Sequence, residues 1–286
     1  MNRNEIELVE CPRDAMQGWP KFIETEEKIK YLNQLLKVGF HTLDFGSYVS
    51  PKAIPQMADT REVVNRLDLA GVDTKLLAIV ANVRGAEEAA SFGQISFLGF
   101  PFSISETFQK RNTNASVDEA FMTVKHIRDI CEKNEKQMVV YLSMGFGNPY
   151  GDAYSPKTVT DWAGRMVEER IKIISIADTV GVANPNEVES VMKEVIPAYR
   201  GVTIGVHLHS APHDRAEKLD AALRAGCRRF DSAIKGIGGC PMAGDALVGN
   251  MDTEFMISHF RSNGLNISLN DSELQKASLM AASIFN

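Results

Sequence analysis

Eight times along the chain a short run of β-branched and apolar residues gives way to a longer segment with apolar residues at helical spacing. No other feature of the sequence limits the available folds as much. The strand-like runs cover residues 6–11, 41–46, 75–80, 94–99, 138–143, 171–177, 202–209 and 228–234. Among the helical segments, Ile29, Leu32, Leu35 and Leu36 form a stripe behind a Thr25 cap with Glu26 and Glu27 in the first turn. Segment 116–131 places Ala120, Val124, Ile127 and Cys131 on one face, 186–195 repeats the pattern, and 214–225 does so with Gly226 as its stop. The segment after the third strand, 87–92, is the shortest. Eight units in 286 residues give about 36 residues each, the spacing of a (β/α)8 TIM barrel with small additions. An open doubly wound sheet would carry a Gly-rich turn after its first strand, and CPRDAMQGW is not one. With no Pro/Gly/Ser linker and no shift in composition, one barrel domain over 1–286 is expected.

Charge and composition narrow the function. Lys+Arg 31 against Asp+Glu 37 leaves a net charge of −6 spread along the chain, so nothing prepares it for a phosphate backbone and nucleic acid is not an expected partner. No apolar run approaches the roughly 18 to 20 residues that span a bilayer, and MNRNEIELVE lacks the apolar centre of a secretion signal. A cytoplasmic protein with no membrane partner is expected. Cys11, Cys131, Cys227 and Cys240 form no CxxC pair, which fits free thiols in a reducing compartment.

In such a barrel the chemistry sits at the C-terminal ends of the strands. Arg13 and Asp14 follow the first strand, and Asp44 lies near the end of the second, before a loop with Ser50 and Lys52. Ser103, Ser105, Glu106 and Lys110 follow the fourth, Asn148 and Asp152 the fifth, and Asp178 ends the sixth. The seventh finishes in His207-Leu208-His209, and Cys240 and Asn250 follow the eighth. Alternate strand residues share a face, so His207 and His209 point together. A lone HxH is more often a pair of structural or surface histidines. Asp14 at another strand end tips the reading toward a mixed nitrogen and oxygen site with open positions, suited to Mg²⁺ or Mn²⁺ rather than to a closed structural zinc.

Arg13 beside Asp14 would ordinarily be a strand-end ion pair, but next to a cation-bound carbonyl its guanidinium is placed to stabilise an enolate. Cys240 stands in GIGGCP, among glycines that allow close backbone approach, rather than in an apolar periodic run, and is read as a functional thiol. His41, His126, His213 and His259 need only structural or solvated roles.

VECPRDAMQG, YVSPKAIPQMAD, SISETFQKRNTNAS, ADTVG and GIGGCPMAG followed by GN resemble the 3-hydroxy-3-methylglutaryl-CoA lyase family over nearly the whole chain. SYVSPK with PQMAD, and IGGCP, are specific to that lyase among the metallolyase barrels, which also include isopropylmalate and homocitrate synthases. The resemblance implies an acyl-CoA substrate, a divalent cofactor (Mg²⁺ or Mn²⁺), cleavage to acetoacetate and acetyl-CoA, and a homo-oligomer, expected to be a dimer. It implies Asp14, His207, His209 and Asn250 as metal ligands, Arg13 as the enolate stabiliser and Cys240 as a thiol in proton transfer. Asp44 and His207 join the catalytic set, and Ser50, Lys52, Ser105 and Asp178 the substrate-binding set.

The base that takes the hydroxyl proton stays open among Asp14, His207 and a metal-bound hydroxide. The chain departs from the family at Asp44 (usually Glu), Ala53 (usually aromatic), Asn148 (usually Cys), Ser210 (usually Asp) and in DAMQ for DGLQ. These changes surround the metal site without entering it. A condensing synthase for an acyl-CoA and a 2-oxo acid is the first alternative, although such enzymes usually carry a long C-terminal regulatory region that this sequence does not show. A metal-dependent barrel that binds without turnover is the second.

Overall fold

A strand buried on both faces needs apolar residues at nearly every position, and the sequence supplies such runs with a helix after each. In the computed structural model, which describes residues 5–239 and 248–286, the runs become eight parallel strands closed into a barrel in sequence order. They are β1 (Glu7–Glu10), β2 (Thr42–Ser47), β3 (Lys75–Ile79), β4 (Ile95–Ser103), β5 (Gln137–Ser143), β6 (Ile173–Ala177), β7 (Thr203–His207) and β8 (Arg229–Ser232). Register between β1 and β8 runs from Glu7 opposite Arg229 to Glu10 opposite Ser232, which closes the ring. This is the (β/α)8 TIM barrel that the alternation predicts.

Helices α1 (Pro12–Gln17) and α2 (Thr25–Leu36) follow β1, α3 (Thr60–Asn65) follows β2, and α4 (Val83–Ala90) follows β3. After β4 come α5 (Glu106–Thr113) and α6 (Val117–Lys133), and single helices follow the next three strands: α7 (Pro156–Glu168), α8 (Pro185–Ala198) and α9 (Arg215–Arg224). Two more, α10 (Thr253–Ser262) and α11 (Asp271–Ile284), complete the chain. Most of the apolar core lies between strands and helices, where Leu43, Leu98, Val140, Ile174 and Val206 meet helix residues such as Leu35, Val124 and Val191. A smaller cluster of Leu77, Ile79, Phe97, Val139, Tyr141 and Ile173 fills the barrel interior on one side. The other side, formed by β7, β8, β1 and β2, places polar groups inward, and this asymmetry locates the chemistry.

Several boundaries differ from the sequence reading. Thr25 is not the cap of α2. Glu24 holds that position without a side-chain cap bond, and the Thr25 hydroxyl donates instead to Asp59 Oδ2 at 2.8 Å. The third outer helix starts at Val83, capped by Asn82, four residues before the expected start. Gly85 in its first turn weakens the helix signal, yet a Cβ there would stand 2.3 Å from the Tyr48 carbonyl oxygen. Strand β4 runs past Pro101 to Ser103 because β5 pairs with it all the way to Ser143. Strand β7 ends at His207, so His209 lies beyond it, held by a bridge to Asn250.

Candidate active site

At the C-terminal mouth the chain turns from β1 directly into α1, with Pro12 in its first turn, and α1 carries Arg13 and Asp14 against the barrel. Arg13 is 8% exposed and Asp14 6%, so both charges need partners. Arg13 Nε and Nη2 donate to Asp44 Oδ2 at 3.1 and 2.5 Å, and Nη1 donates to Asp14 Oδ1 at 2.8 Å. Gln17 Nε2 also donates to Asp14 Oδ1, at 2.7 Å, and Asn250 Nδ2 donates to Asp14 Oδ2 at 2.8 Å.

The Asp14 carboxylate thus has a fixed orientation. Burial alone would raise its pKa, but Arg13, the two imidazoles and the Asn250 bond together hold it below the ordinary value. Burial pushes Asp44 up to about 6 despite Arg13. With the guanidinium always charged and bonded to it, Asp44 remains a carboxylate at neutral pH.

Asp14, His207 and His209 each offer an atom within 4.8 Å of the others. His209 donates from Nδ1 to the Asp178 carbonyl at 2.5 Å, which leaves Nε2 as a lone pair, buried and without a hydrogen-bond partner among the described residues. Burial, together with the charge of His207, depresses its pKa to about 4, so His209 is neutral. On His207, Nδ1 meets Asp231 Oδ2 at 3.2 Å. Burial would lower the His207 pKa, but the Asp231 bond and the charges of Asp231 and Asp14 outweigh it and raise the pKa. With one nitrogen of each ring held by the protein, the other is free to bind a ligand.

Asn250 spends both amide hydrogens, on Asp14 and on the Ile237 carbonyl at 2.9 Å, leaving its oxygen as the free end. An orphaned buried imidazole nitrogen beside a second imidazole and a carboxylate is a donor set that fits a divalent cation. A second group, Cys11, His207 and Asp231, fits one poorly. Burial pushes the Cys11 thiol well above its ordinary pKa, and His207 Nδ1 is already engaged.

The other predicted residues fall into three groups. Ser50 and Lys52 are exposed on the loop after β2. Ser105 and Asp178 are buried: the Ser105 hydroxyl caps α5 and donates to Asp152 Oδ2 at 2.5 Å, while Asp178 Oδ1 accepts from Ala183 N–H at 3.0 Å and Asp178 Oδ2 has no hydrogen-bond partner among the described residues, with Lys218 Nζ 3.6 Å away. Through these bonds they hold loops and, through the Asp178 carbonyl, His209. Cys240 lies outside the described residues.

The glycines before Cys240 do permit the close approach expected of them. At Gly238, with φ of +97°, a Cβ would stand 2.8 Å from Ala15 Cα, Asn250 Nδ2 and the Asp14 carbonyl oxygen. Among the departures, Asn148 accepts from Tyr150 and Asp152 N–H and so builds a turn, and the Ser210 hydroxyl meets Met251 Sδ at 3.4 Å.

Sequence reading missed Asp231 and Gln17. Asp231 carried the only available signal, a carboxylate inside a strand run at the same alternation as an inward neighbour, and Gln17 carried none beyond its place one helical turn after Asp14.

The HMGL-like family model matches residues 6–281. The chain belongs to the HMGL-like family. The cytoplasmic 3-hydroxy-3-methylglutaryl-CoA lyase of Rattus norvegicus is 32% identical over 278 residues, covering 95% of this chain and 79% of the relative. Hydroxymethylglutaryl-CoA lyase YngG of Bacillus subtilis (strain 168) is 33% identical over 246 residues, or 86% and 81%. Among solved structures, an HMG-CoA lyase from Acinetobacter baumannii in complex with coenzyme A and 3-methylmalate superimposes with a TM-score of 0.92 at 28% identity, covering 100% of this chain and 92% of that one. HMGL-like enzymes depend on a divalent metal, which agrees with the donor set at Asp14, His207 and His209. Among the described residues no helix is long and apolar enough to cross a membrane.

Proposed function

We infer that this chain is a divalent-metal-dependent carbon–carbon lyase that cleaves 3-hydroxy-3-methylglutaryl-CoA to acetoacetate and acetyl-CoA. The observation that carries the reading is the orphaned His209 nitrogen facing Asp14 and His207 in a chain of this family, with Arg13 bonded to the same carboxylate. Asp14, His207, His209 and Asn250 would hold Mg²⁺ or Mn²⁺. When bound, the ion supplies Lewis acidity toward the substrate's hydroxyl and carbonyl oxygens.

The chain's own residues prepare the site for that chemistry. Five N–H donors belong to Arg13 and three are spent on Asp44 and Asp14, which leaves two for a developing enolate oxygen. Asp44 fixes the plane of that guanidinium, so no reorganisation is needed when charge develops. Asp14 stays ionised and His209 neutral, the states that bind a cation. Ser50 and Lys52, exposed after β2, are offered to the coenzyme portion, and Cys240 to protonation of the enolate carbon. A cytoplasmic homodimer completes the reading, its size to be measured by sedimentation.

Incubation with hydroxymethylglutaryl-CoA and Mg²⁺ or Mn²⁺, followed by NMR, should show acetoacetate. No acetoacetate, together with consumption of acetyl-CoA in the presence of a 2-oxo acid, would replace the lyase by a condensing synthase.

A further inference from the structure

Strand β7 pairs with β8 only as far as His207 opposite Asp231, so His209 stands past the end of the barrel ladder and its backbone needs other restraints. The bridge to Asn250 supplies two, from Ser210 N–H to the Gly249 carbonyl at 2.9 Å and from Met251 N–H to the Leu208 carbonyl at 3.2 Å. Neither uses the His209 carbonyl. That oxygen accepts from Lys218 Nζ at 2.9 Å.

Lys218 reaches it from α9, whose buried face otherwise consists of Leu219, Ala221 and Ala222. Lys218 is 1% exposed. Desolvating an ammonium is costly, and an apolar side chain of the same length would fill the space without that cost. The ammonium has three hydrogens and faces three oxygens. Beside the His209 carbonyl stand Asp214 Oδ2 at 3.0 Å and Asp178 Oδ2 at 3.6 Å, the last a contact of charges rather than a hydrogen bond.

Asp178 is the residue that orients the His209 ring. Its carbonyl accepts from His209 Nδ1 at 2.5 Å, its N–H donates to the His207 carbonyl at 2.9 Å, and its Oδ1 accepts from Ala183 N–H at 3.0 Å. Among the described residues Oδ2 has no hydrogen-bond partner, and Lys218 is its counter-charge.

We propose that Lys218 is a positioning residue for His209, holding the backbone of that residue directly and, through Asp178, the group that fixes its ring. With the carbonyl on one side and the ring on the other both tied to the same ammonium, His209 Nε2 is aimed in one direction. The consequence for cation binding rests on the divalent-metal reading of the site, and the consequence for the ring does not. Partners that orient a metal-binding imidazole are typically worth about 10- to 100-fold in metal affinity.

Lys218→Met keeps the apolar stem and removes the donors, and two measurements on the full chain read the change. In proton–nitrogen NMR of the metal-free protein, the wild type should show a His209 Nδ1–H resonance protected from exchange with water, and Lys218→Met should lose it. In titration calorimetry, Lys218→Met should bind Mn²⁺ about tenfold more weakly than the wild type, or weaker still. The single replacement leaves the Asp178 carboxylate buried without its counter-charge, which endangers folding. The same replacement is therefore also made in Asp178→Asn, where the main-chain carbonyl that holds the ring remains, and both losses are expected again relative to Asp178→Asn alone.

A lower melting temperature with the resonance and the Mn²⁺ affinity unchanged in both backgrounds would reduce Lys218 to packing of α9 and overturn the proposal. A wild type that fails to bind Mn²⁺, yet loses the protected resonance when Lys218 is replaced, would overturn the metal reading and uphold the positioning of His209.

Discussion

Asp231 acts on the site through His207. A carboxylate on Nδ1 holds that nitrogen as the donor and turns Nε2 toward the ligand, so losing it weakens binding without removing a ligand. Asp231→Asn is therefore expected to lower Mn²⁺ affinity about 10- to 100-fold by titration calorimetry while the protein stays folded. Unchanged affinity would reduce Asp231 to a packing role. Cys240→Ser should lose on the order of 10² to 10⁴ in kcat with metal binding intact, since a hydroxyl is a far weaker acid than a thiol. A variant that melts earlier but turns over normally would end that assignment.

Glu10 offers a third test at this scale. It is fully buried, and burial raises its pKa to about 8 against bonds from Thr253 and Ile234 that lower it. The Thr253 hydroxyl lies 2.6 Å from Glu10 Oε2 and 2.9 Å from Ser232 Oγ, and with one hydrogen it cannot donate to both. The Thr253 hydroxyl donates to Glu10, and the Ser232 hydroxyl has a hydrogen of its own for the second contact. With the folded pKa above the unfolded one, Glu10 favours the native state most below about pH 4.5 and progressively less as pH rises through about 8. Melting temperature measured across that window should fall more steeply for the wild type than for Glu10→Gln, and parallel curves would refute the assignment.

That Asp14, His207 and His209 would gather was legible because they stand in strand-end motifs, where local spacing and barrel geometry agree. Asp231 and Arg229 were not, because whether a charged residue in a strand faces inward depends on register with neighbours far away in sequence, and Glu10 was not, because its partner Thr253 lies 243 residues on.

At the level of elements, periodicity located all eight strands, and errors collected where tertiary contact overrides local preference. The fourth strand-like run ends at residue 99 on sequence alone, yet β4 continues through Pro101 to Ser103 because β5 pairs with it that far. Gly85 reads as a helix breaker, yet the Tyr48 carbonyl oxygen excludes any side chain there. Capping chemistry is local, yet the Thr25 cap expected for α2 lies one residue inside the helix and the Asn184 cap of α8 went unread. Asn184 accepts from the N–H groups of Asn186 and Glu187 while Glu187 reaches back to the Asn184 N–H, a complete capping box at the start of α8. Asn184→Ala should cost about 0.5 to 2 kcal/mol in urea unfolding and leave turnover of the folded protein unchanged. No change in the unfolding midpoint would mean that packing of Val188, Val191 and Val195 alone sets the helix.

Across the whole molecule, ligands drawn from opposite ends of the chain tie barrel closure to cation binding. Asp14 follows β1, and His207 and His209 follow from β7 across β8, with Asn250 bonded to Asp14 from beyond β8, so the groups proposed to hold the cation meet only when β1 and β8 have paired. An unfolded chain cannot gather these groups, and a cation therefore binds the native state almost exclusively. At a free concentration of one hundred times Kd, such binding adds about 2.7 kcal/mol, which for a chain of this size raises the melting temperature by on the order of 5 °C. Chelator-treated protein should be folded and inactive, Mn²⁺ or Mg²⁺ should raise its melting temperature and restore turnover together, and renewed chelation should reverse both. In His209→Ala, which removes the orphaned nitrogen while leaving Asp14 and its partners in place, the same addition should produce a much smaller shift. An equal shift in that variant would mean that the ions act elsewhere on the surface, and full activity of the wild type in excess chelator would remove the metal from the reaction altogether.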